Sequence, residues 1–328
     1  MKILTVTIPS YNAEKYLDKG IPTMLEQSIL DDIEIIIVDD GSTDRTAEIA
    51  DGYCRKYPDT IKVIHKENGG HGSTINSSIQ VASGKYFCVI DADDWVDTIN
   101  FVKLVNVMKT SSADLILANA ARVDADDNIV GYEKIGKMPP LKEVQMDKYI
   151  GKIRNIEMHN YFILSEILRE NNIQCHEHYF YEDQEFVLYS LVHVKTALFI
   201  NMVVYRYLWG RDGQSISMES KRKNYNHITS ISDFLITFYK KNRDFMTSNQ
   251  IKHYVRKIAW FQLAVYSVLL GYYNNDKKEE MKRYDRELKK KSTEIYNANE
   301  DLCIFLMRMT NFSCYGMMAF IYKIVKMR

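Results

Sequence analysis

The strongest constraint on the fold is an alternation that occupies the first hundred residues. Ile3–Ile8, Glu34–Val38, Ile61–His65 and Lys85–Ile90 are short apolar runs, and Ala13–Gln27, Thr43–Lys56 and Ser73–Ala82 between them carry helical periodicity. The runs are apolar at successive positions, so strands made from them are buried on both faces. A parallel sheet covered by helices on both sides and joined by right-handed crossovers satisfies that pattern, which makes the chain α/β. Asn12 and Ser42 suit helix N-caps, and Gly84 suits a helix stop before a strand.

Further along the pattern changes twice. From Asp97 to about Gln214 it is mixed: Phe101–Lys109 reads as a helix, Ala113–Asn119 as a strand, and Arg122–Val130 as a hairpin turning at Asp127 and Asn128. Glu182–Val194 then reads as a helix and Thr196–Tyr205 as a strand. Beyond Ser217 only helices are expected, near 219–246, 249–274, 276–298 and 301–326. Charge changes at the same place. The chain as a whole balances 43 basic against 43 acidic side chains, but residues 1–216 hold 22 and 32 and residues 217–328 hold 21 and 11. The balance argues against coating nucleic acid by bulk charge, and the split suggests two parts with different partners. Five cysteines, odd in number and widely spaced, read as reduced, mostly buried thiols. Met1 and Lys2 lead directly into a strand without a signal-peptide core, so a cytoplasmic protein is expected.

Ligands of an open parallel sheet bind at the carboxyl ends of its strands. Those ends read Pro9-Ser-Tyr-Asn12, Asp39-Asp-Gly-Ser-Thr-Asp44, Asn68-Gly-Gly-His-Gly-Ser73 and Asp91-Ala-Asp-Asp-Trp95. Two carboxylates one residue apart can reach one hard cation and leave its other positions to water and phosphate oxygens. The sequence supplies its own control, because Asp-Ala-Asp-Asp recurs at Asp124–Asp127. The first copy ends a buried strand, whereas the second lies beside Asn128 among short alternating segments, where solvated turn carboxylates are expected. Chemistry is therefore assigned to the first. Neither a dinucleotide-binding G-x-G-x-x-G after the first strand nor a P-loop is present.

Taken in order, Thr7-Ile-Pro-Ser-Tyr-Asn12, Val38-Asp-Asp-Gly-Ser-Thr-Asp-Arg-Thr46, Lys66-Glu-Asn-Gly-Gly70, Ala82-Ser-Gly-Lys85 and Ile90-Asp-Ala-Asp-Asp94 resemble the nucleotide-binding half of the inverting family-2 glycosyltransferases. The resemblance covers roughly residues 1–217. It implies a GT-A fold, which is Rossmann-like with a mostly parallel sheet and helices on both faces, divided into a nucleotide-binding half (1–96) and an acceptor-binding half (97–217). An appended helical region (218–328) follows. It also implies transfer of a sugar from a nucleotide-diphosphate donor, a UDP-sugar, to a glycan or lipid-linked glycan acceptor, with Mn²⁺ or Mg²⁺. By the same resemblance Pro9 and Tyr11 line the base pocket, Asp40 accepts from the uracil N3–H with Asp39 supporting the turn, and Asn68 and Gly69 border the nucleotide. Asp91 and Asp93 form the DxD pair that holds metal and sugar, with Asp94 sharing the ligation. His71 departs from the family pattern, either as a phosphate contact or as a surface histidine at a helix start.

Tyr181-Glu-Asp-Gln-Glu185 resembles the family's Glu-Asp motif, which makes Asp183 the general base and Glu182 its orienting neighbour. Tyr205-Arg-Tyr207 and the stretch from Gly210 to Ser217 resemble a closing segment in which Arg206 or Arg211, with Ser215 and Ser217, clamps the leaving diphosphate. The product expected is a bacterial surface glycan. A polyprenyl-phosphate glycosyltransferase and a non-catalytic sugar-nucleotide scaffold are the alternatives. In the tail, Ile258–Tyr273 reads as a buried helix. Leu302–Val325 reads as an amphipathic helix that either lies on the inner face of the cell membrane or mediates a homodimer.

Overall fold

The computed structural model describes residues 2–136, 139–153, 156–210, 214–215, 217–271 and 275–326. The chain forms two compact units, Met1–Asp212 and Gly213–Arg328.

The first unit is built on one sheet. Its strands are β1 (Leu4–Ser10), β2 (Ile33–Asp39), β3 (Ile61–His65), β4 (Tyr86–Val89), β5 (Trp95–Val96), β6 (Leu115–Val123), β7 (Ile129–Glu133), β8 (Glu143–Gln145), β9 (Tyr161–Leu164) and β10 (Thr196–Leu208). The order across it is β3-β2-β1-β4-β9-β6-β10-β5, with β7 added on β6 and β8 on β10. β3, β2, β1 and β4 are mutually parallel, as the apolar runs require. β9 then enters antiparallel between β4 and β6, while β6 and β10 pair in parallel. Along β4, Tyr86 and Cys88 join one core with Leu4, Val6 and Ile35, and Phe87 and Val89 join another with Ile75 and Ile79. That alternation places a separate apolar layer on each face of the sheet. Pro9 sits in a central strand at no cost on the β4 side, because β4 pairing stops at Thr7.

Local readings fail where a proline or a long-range partner intervenes. Ala13–Gln27 is one expected helix, but Pro22 cannot continue an α-helix, and the segment divides into Leu17–Gly20 and 3₁₀ turns at Ile21–Met24 and Gln27–Ile29. Asn12 and Ser42 cap each other's loops instead of their own helices. The Ser42 hydroxyl accepts from the Asn12 backbone N–H at 3.0 Å, and the Asn12 side-chain Oδ1 accepts from the Thr43 N–H at 2.9 Å. Asn12 takes a left-handed φ of 50° to do so. Gly84 is required by closeness, since a Cβ there would lie 2.4 Å from the amide nitrogen of Thr5.

The second unit is helical throughout its described secondary structure. Tyr225–Asn242, Ser248–Gly271 and Asn275–Lys291 are its long helices, and Ser248–Gly271 buries Ile258, Phe261, Val265 and Leu269. Two of its buried polar side chains are well matched: Gln262 accepts from Ser232 and Tyr284, and Asp285 accepts from Tyr266 at 2.6 Å and Arg308 at 2.8 Å. The expected single helix Leu302–Val325 is two, Leu302–Met309 and Tyr315–Lys326. Asn311 and Phe312 both adopt positive φ and reverse the chain between them. Among the described residues no helix is long and apolar enough to cross a membrane. None of the five cysteines is in a disulfide, and Cys88 and Cys175 are buried whereas Cys54, Cys303 and Cys314 are half-buried.

Candidate active site

The site begins at the carboxyl ends of β2, β1 and β4. Asp39 turns its carboxylate onto the Ser42 amide at 3.0 Å and pairs with His65, which fixes the turn that follows β2. Asp40 is 2% exposed and organises the next loop. Its Oδ1 accepts from the Gly69 amide and Lys66 Nζ, both at 2.9 Å, and its Oδ2 accepts from the Gly70 amide at 2.8 Å. Asn68 closes the arrangement by donating from its side chain to the Asp40 carbonyl at 3.0 Å. Gly70 has φ +83° and begins the helix His71–Val81, a conformation that favours glycine. Pro9 is buried at the end of β1, and Tyr11 just beyond it is exposed.

His71 occupies the centre of the site. Its Nε2 lies 2.9 Å from Asp91 Oδ1 and its Nδ1 lies 2.6 Å from Glu182 Oε1. One ring thus links the end of β4 to the start of the helix Asp183–Leu191, across 20 and 111 residues of sequence. Burial opposes the charge on His71, but the hydrogen bonds to Asp91 and Glu182 outweigh it and hold the pKa well above 6.5. His71 thus has a carboxylate at each ring nitrogen, a setting that favours its protonated form. Gly72 permits this close packing, because a Cβ there would meet the Glu182 side chain at 3.1 Å and the His176 carbonyl at 2.6 Å.

Asp183 follows Glu182 on the same helix start. Its carboxylate accepts from the Gln184 side chain at 2.8 Å, and Gln184 also donates to Glu157 at 3.1 Å. Loss of hydration, then the charges of Glu182 and Glu157, push Asp183 up to about 6. A carboxylate tuned to that range is ionised at neutral pH and basic enough to take a proton.

Three expected roles change here. Asp94 is 2% exposed, and its oxygens accept from the Tyr205 hydroxyl at 2.6 Å and the Leu208 amide at 2.8 Å. Burial, with Asp93 and Asp91 beside it, raises its pKa well above the usual carboxylate range. It locks β10 to the Asp-Ala-Asp-Asp turn and is not a metal ligand. Arg206 is corrected by strand alternation: Tyr205 and Tyr207 share the face toward Asp91 and Asp94, and Arg206 takes the other. There it pairs with Asp97 at 2.8 Å and Asp127 at 3.4 Å, so it is not offered to a diphosphate. Ser217 accepts from the Ser220 amide at 3.1 Å as a helix N-cap. Arg211 lies outside the described residues, and Ser215 belongs to the second unit.

Sequence reasoning missed Tyr205, Tyr207 and His159. The Tyr205 hydroxyl also accepts from the Asp91 amide at 3.1 Å, and His159 stacks on Tyr207 with ring centroids 5.7 Å apart while paired with Glu133. Tyr205 and Tyr207 carry two sequence signals, the Tyr-Arg-Tyr stretch of the closing segment and the period-2 alternation of the strand Thr196–Leu208, but neither marks their partners. His176 pairs with Glu185 at 2.7 Å, which leaves it structural. Among the described residues no group of three or more His, Cys, Asp or Glu side chains is placed to hold a metal by itself. Asp91 and Asp93 nonetheless leave two hard-oxygen side chains one residue apart at this strand end, a donor set that would suit a divalent cation.

A parallel half-sheet whose strand ends carry paired carboxylates and a glycine turn is the framework of an enzyme acting on a nucleotide-linked group, and the comparisons specify which. The protein is a glycosyltransferase. Residues 5–171, half of the chain, match the family described as Glycosyl transferase family 2, and the chain belongs to that family. It is 37% identical over 114 residues to the uncharacterized glycosyltransferase EpsJ of Bacillus subtilis (strain 168), covering 35% of this chain and 33% of that protein. It is 28% identical over 221 residues to the poly(ribitol-phosphate) beta-glucosyltransferase of Bacillus spizizenii, covering 66% of this chain and 34% of that one. These matches thus span about a third of each relative's length. The crystal structure of S. aureus TarS 1-349 in complex with UDP-GlcNAc superimposes with a TM-score of 0.71 at 20% identity, over 98% of this chain and 92% of that one. The fold is GT-A with a C-terminal helical region.

Proposed function

We propose that the enzyme transfers a sugar from a UDP-linked donor to a hydroxyl of a surface glycan or lipid-linked glycan, with inversion at the transferred carbon. The observation that carries this reading is the connected chain Asp91, His71, Glu182 and its neighbour Asp183, which ties the donor-side strand end to a carboxylate poised near pH 6. The S. aureus protein with the same fold binds UDP-GlcNAc, and this supports a UDP-sugar here.

Pro9, Tyr11 and the Asn68–Gly69 turn border the base in this proposal. Asp40 holds that turn, and its Oδ2, which accepts a single protein N–H, is the atom a uracil N3–H would meet. Asp91 and Asp93 would hold Mn²⁺ or Mg²⁺, which offsets charge on the diphosphate when bound. Arg211 remains the proposed contact of the leaving group. On the acceptor side Asp183 removes the hydroxyl proton as the oxygen attacks. Glu182, fixed through His71, holds that helix start in register with the donor. Base and leaving group act from opposite sides of the sugar, hence the inversion.

Donor hydrolysis across a panel of nucleotide sugars, with Mn²⁺ and with chelator, tests the proposal. Mn²⁺-dependent hydrolysis of one UDP-sugar is expected. Equal rates with chelator would remove the metal, and hydrolysis of only guanine- or cytidine-linked donors would remove the UDP assignment.

A further inference from the structure

The two terminal helices are apolar on the wrong side. Leu302–Met309 buries Ile304 and Met307 in its own unit, yet also exposes Leu302, Phe305, Leu306 and Met309, spaced i, i+3, i+4 and i+7. Tyr315–Lys326 buries Tyr315, Met318 and Ala319 and repeats the same spacing in its exposed Met317, Phe320, Ile321 and Ile324. Phe305 is 54% exposed, Phe320 55% and Met309 71%. Each helix therefore carries a second apolar stripe of helical period, which one core cannot account for. Scattered apolar side chains on a surface need no explanation, but two periodic stripes on consecutive helices do.

Charge selects what covers them. Residues 302–328 contain no Asp or Glu, whereas Lys323, Lys326 and Arg328 interrupt or flank the last stripe. Arg308 is spent internally on Asp285. Residues 213–328 hold 21 basic and 11 acidic side chains, so a second copy would bring like charge to the contact. An anionic bilayer is complementary on both counts, taking the apolar stripe into its interface and the lysines at its headgroups. With no helix suited to crossing among the described residues, such contact would be in-plane. We propose that the hairpin Leu302–Lys326 docks the enzyme on an anionic lipid surface, an inference independent of the donor assignment.

The test is co-flotation of the full chain with vesicles of phosphatidylcholine alone or mixed with phosphatidylglycerol. The expected result is binding to the mixed vesicles that weakens with salt. A Phe305→Ser, Met309→Ser, Phe320→Ser variant should bind more than about tenfold less tightly, since each loses buried apolar area. Its helical circular dichroism and its thermal melting in lipid-free solution should match the parent's. Failure of the parent to float, or equal flotation of the variant, overturns the proposal. A lipid-free dimer seen by light scattering in the parent and lost in the variant would also overturn it, by showing that a second copy covers the stripes.

Discussion

The chain contains the same four residues twice, and the two copies do different work. Asp91–Asp94 ends β4 inside the sheet, where Asp91 meets His71, Asp94 is locked by Tyr205 and Leu208, and burial drives the Asp94 carboxyl upward in pKa. Asp124–Asp127 turns the β6–β7 hairpin in solvent. There Asp124 accepts from the amides of Asn128 and Asp126, and these bonds, led by the Asn128 amide, draw its pKa down. Burial and crowded like charge raise a carboxyl's pKa, whereas exposure and amide donors lower it and make a stable turn. The same letters give either outcome, so the motif is defined by where its strand ends.

That contrast can be broken most directly by substituting equivalent positions. Asp93→Ala should lower metal-dependent transfer by on the order of 10⁴-fold, whereas Asp126→Ala should leave it unchanged, measured as product formed per enzyme with Mn²⁺. Comparable losses in both would end the distinction. Asp183→Asn tests whether the first copy works with a base across the cleft. Turnover should fall about 10³-fold while calorimetric binding of UDP with Mn²⁺ persists. His71→Ala cuts the link between the two sides. A loss of about 10- to 100-fold in kcat is expected, with UDP affinity changed far less, because His71 positions groups instead of reacting. Retained kcat with lost affinity would make it a donor contact.

The pH profile sharpens the comparison further. Asp183 must be ionised to accept a proton, and its pKa is about 6 instead of the ordinary 3.8. Activity should therefore be flat at neutral pH and drop about tenfold for each unit below 6. A carboxylate in the solvated surroundings of the second copy would hold activity about two units lower. The smallest effect belongs to the turn itself: Asp124→Ala should lower the melting temperature by about 2 °C and leave transfer untouched.

The parallel half-sheet was legible because its strands announce two-sided burial residue by residue, and the strand-end carboxylates follow from that. The mixed half was less so. β9 enters between β4 and β6 through contacts that no local pattern encodes. In the site, Asp91 and Asp183 could be picked out from local motifs, but the ring that joins their neighbourhoods could not. His71 at a helix start looks the same whether it meets solvent or two carboxylates.

By itself the sequence determined the class of sheet, the acidic and glycine-rich strand ends, and the change of charge and structure beyond Ser217, because periodicity and composition act locally. Only the tertiary structure decided which face of β10 looks into the site, turning Tyr205 and Tyr207 inward and Arg206 away to Asp97 and Asp127. It also broke the last helix at Asn311 and Phe312 and left two apolar stripes exposed. Both outcomes depend on register and on partners far along the chain, and those are settled only when the packed core chooses among faces that the sequence leaves equivalent.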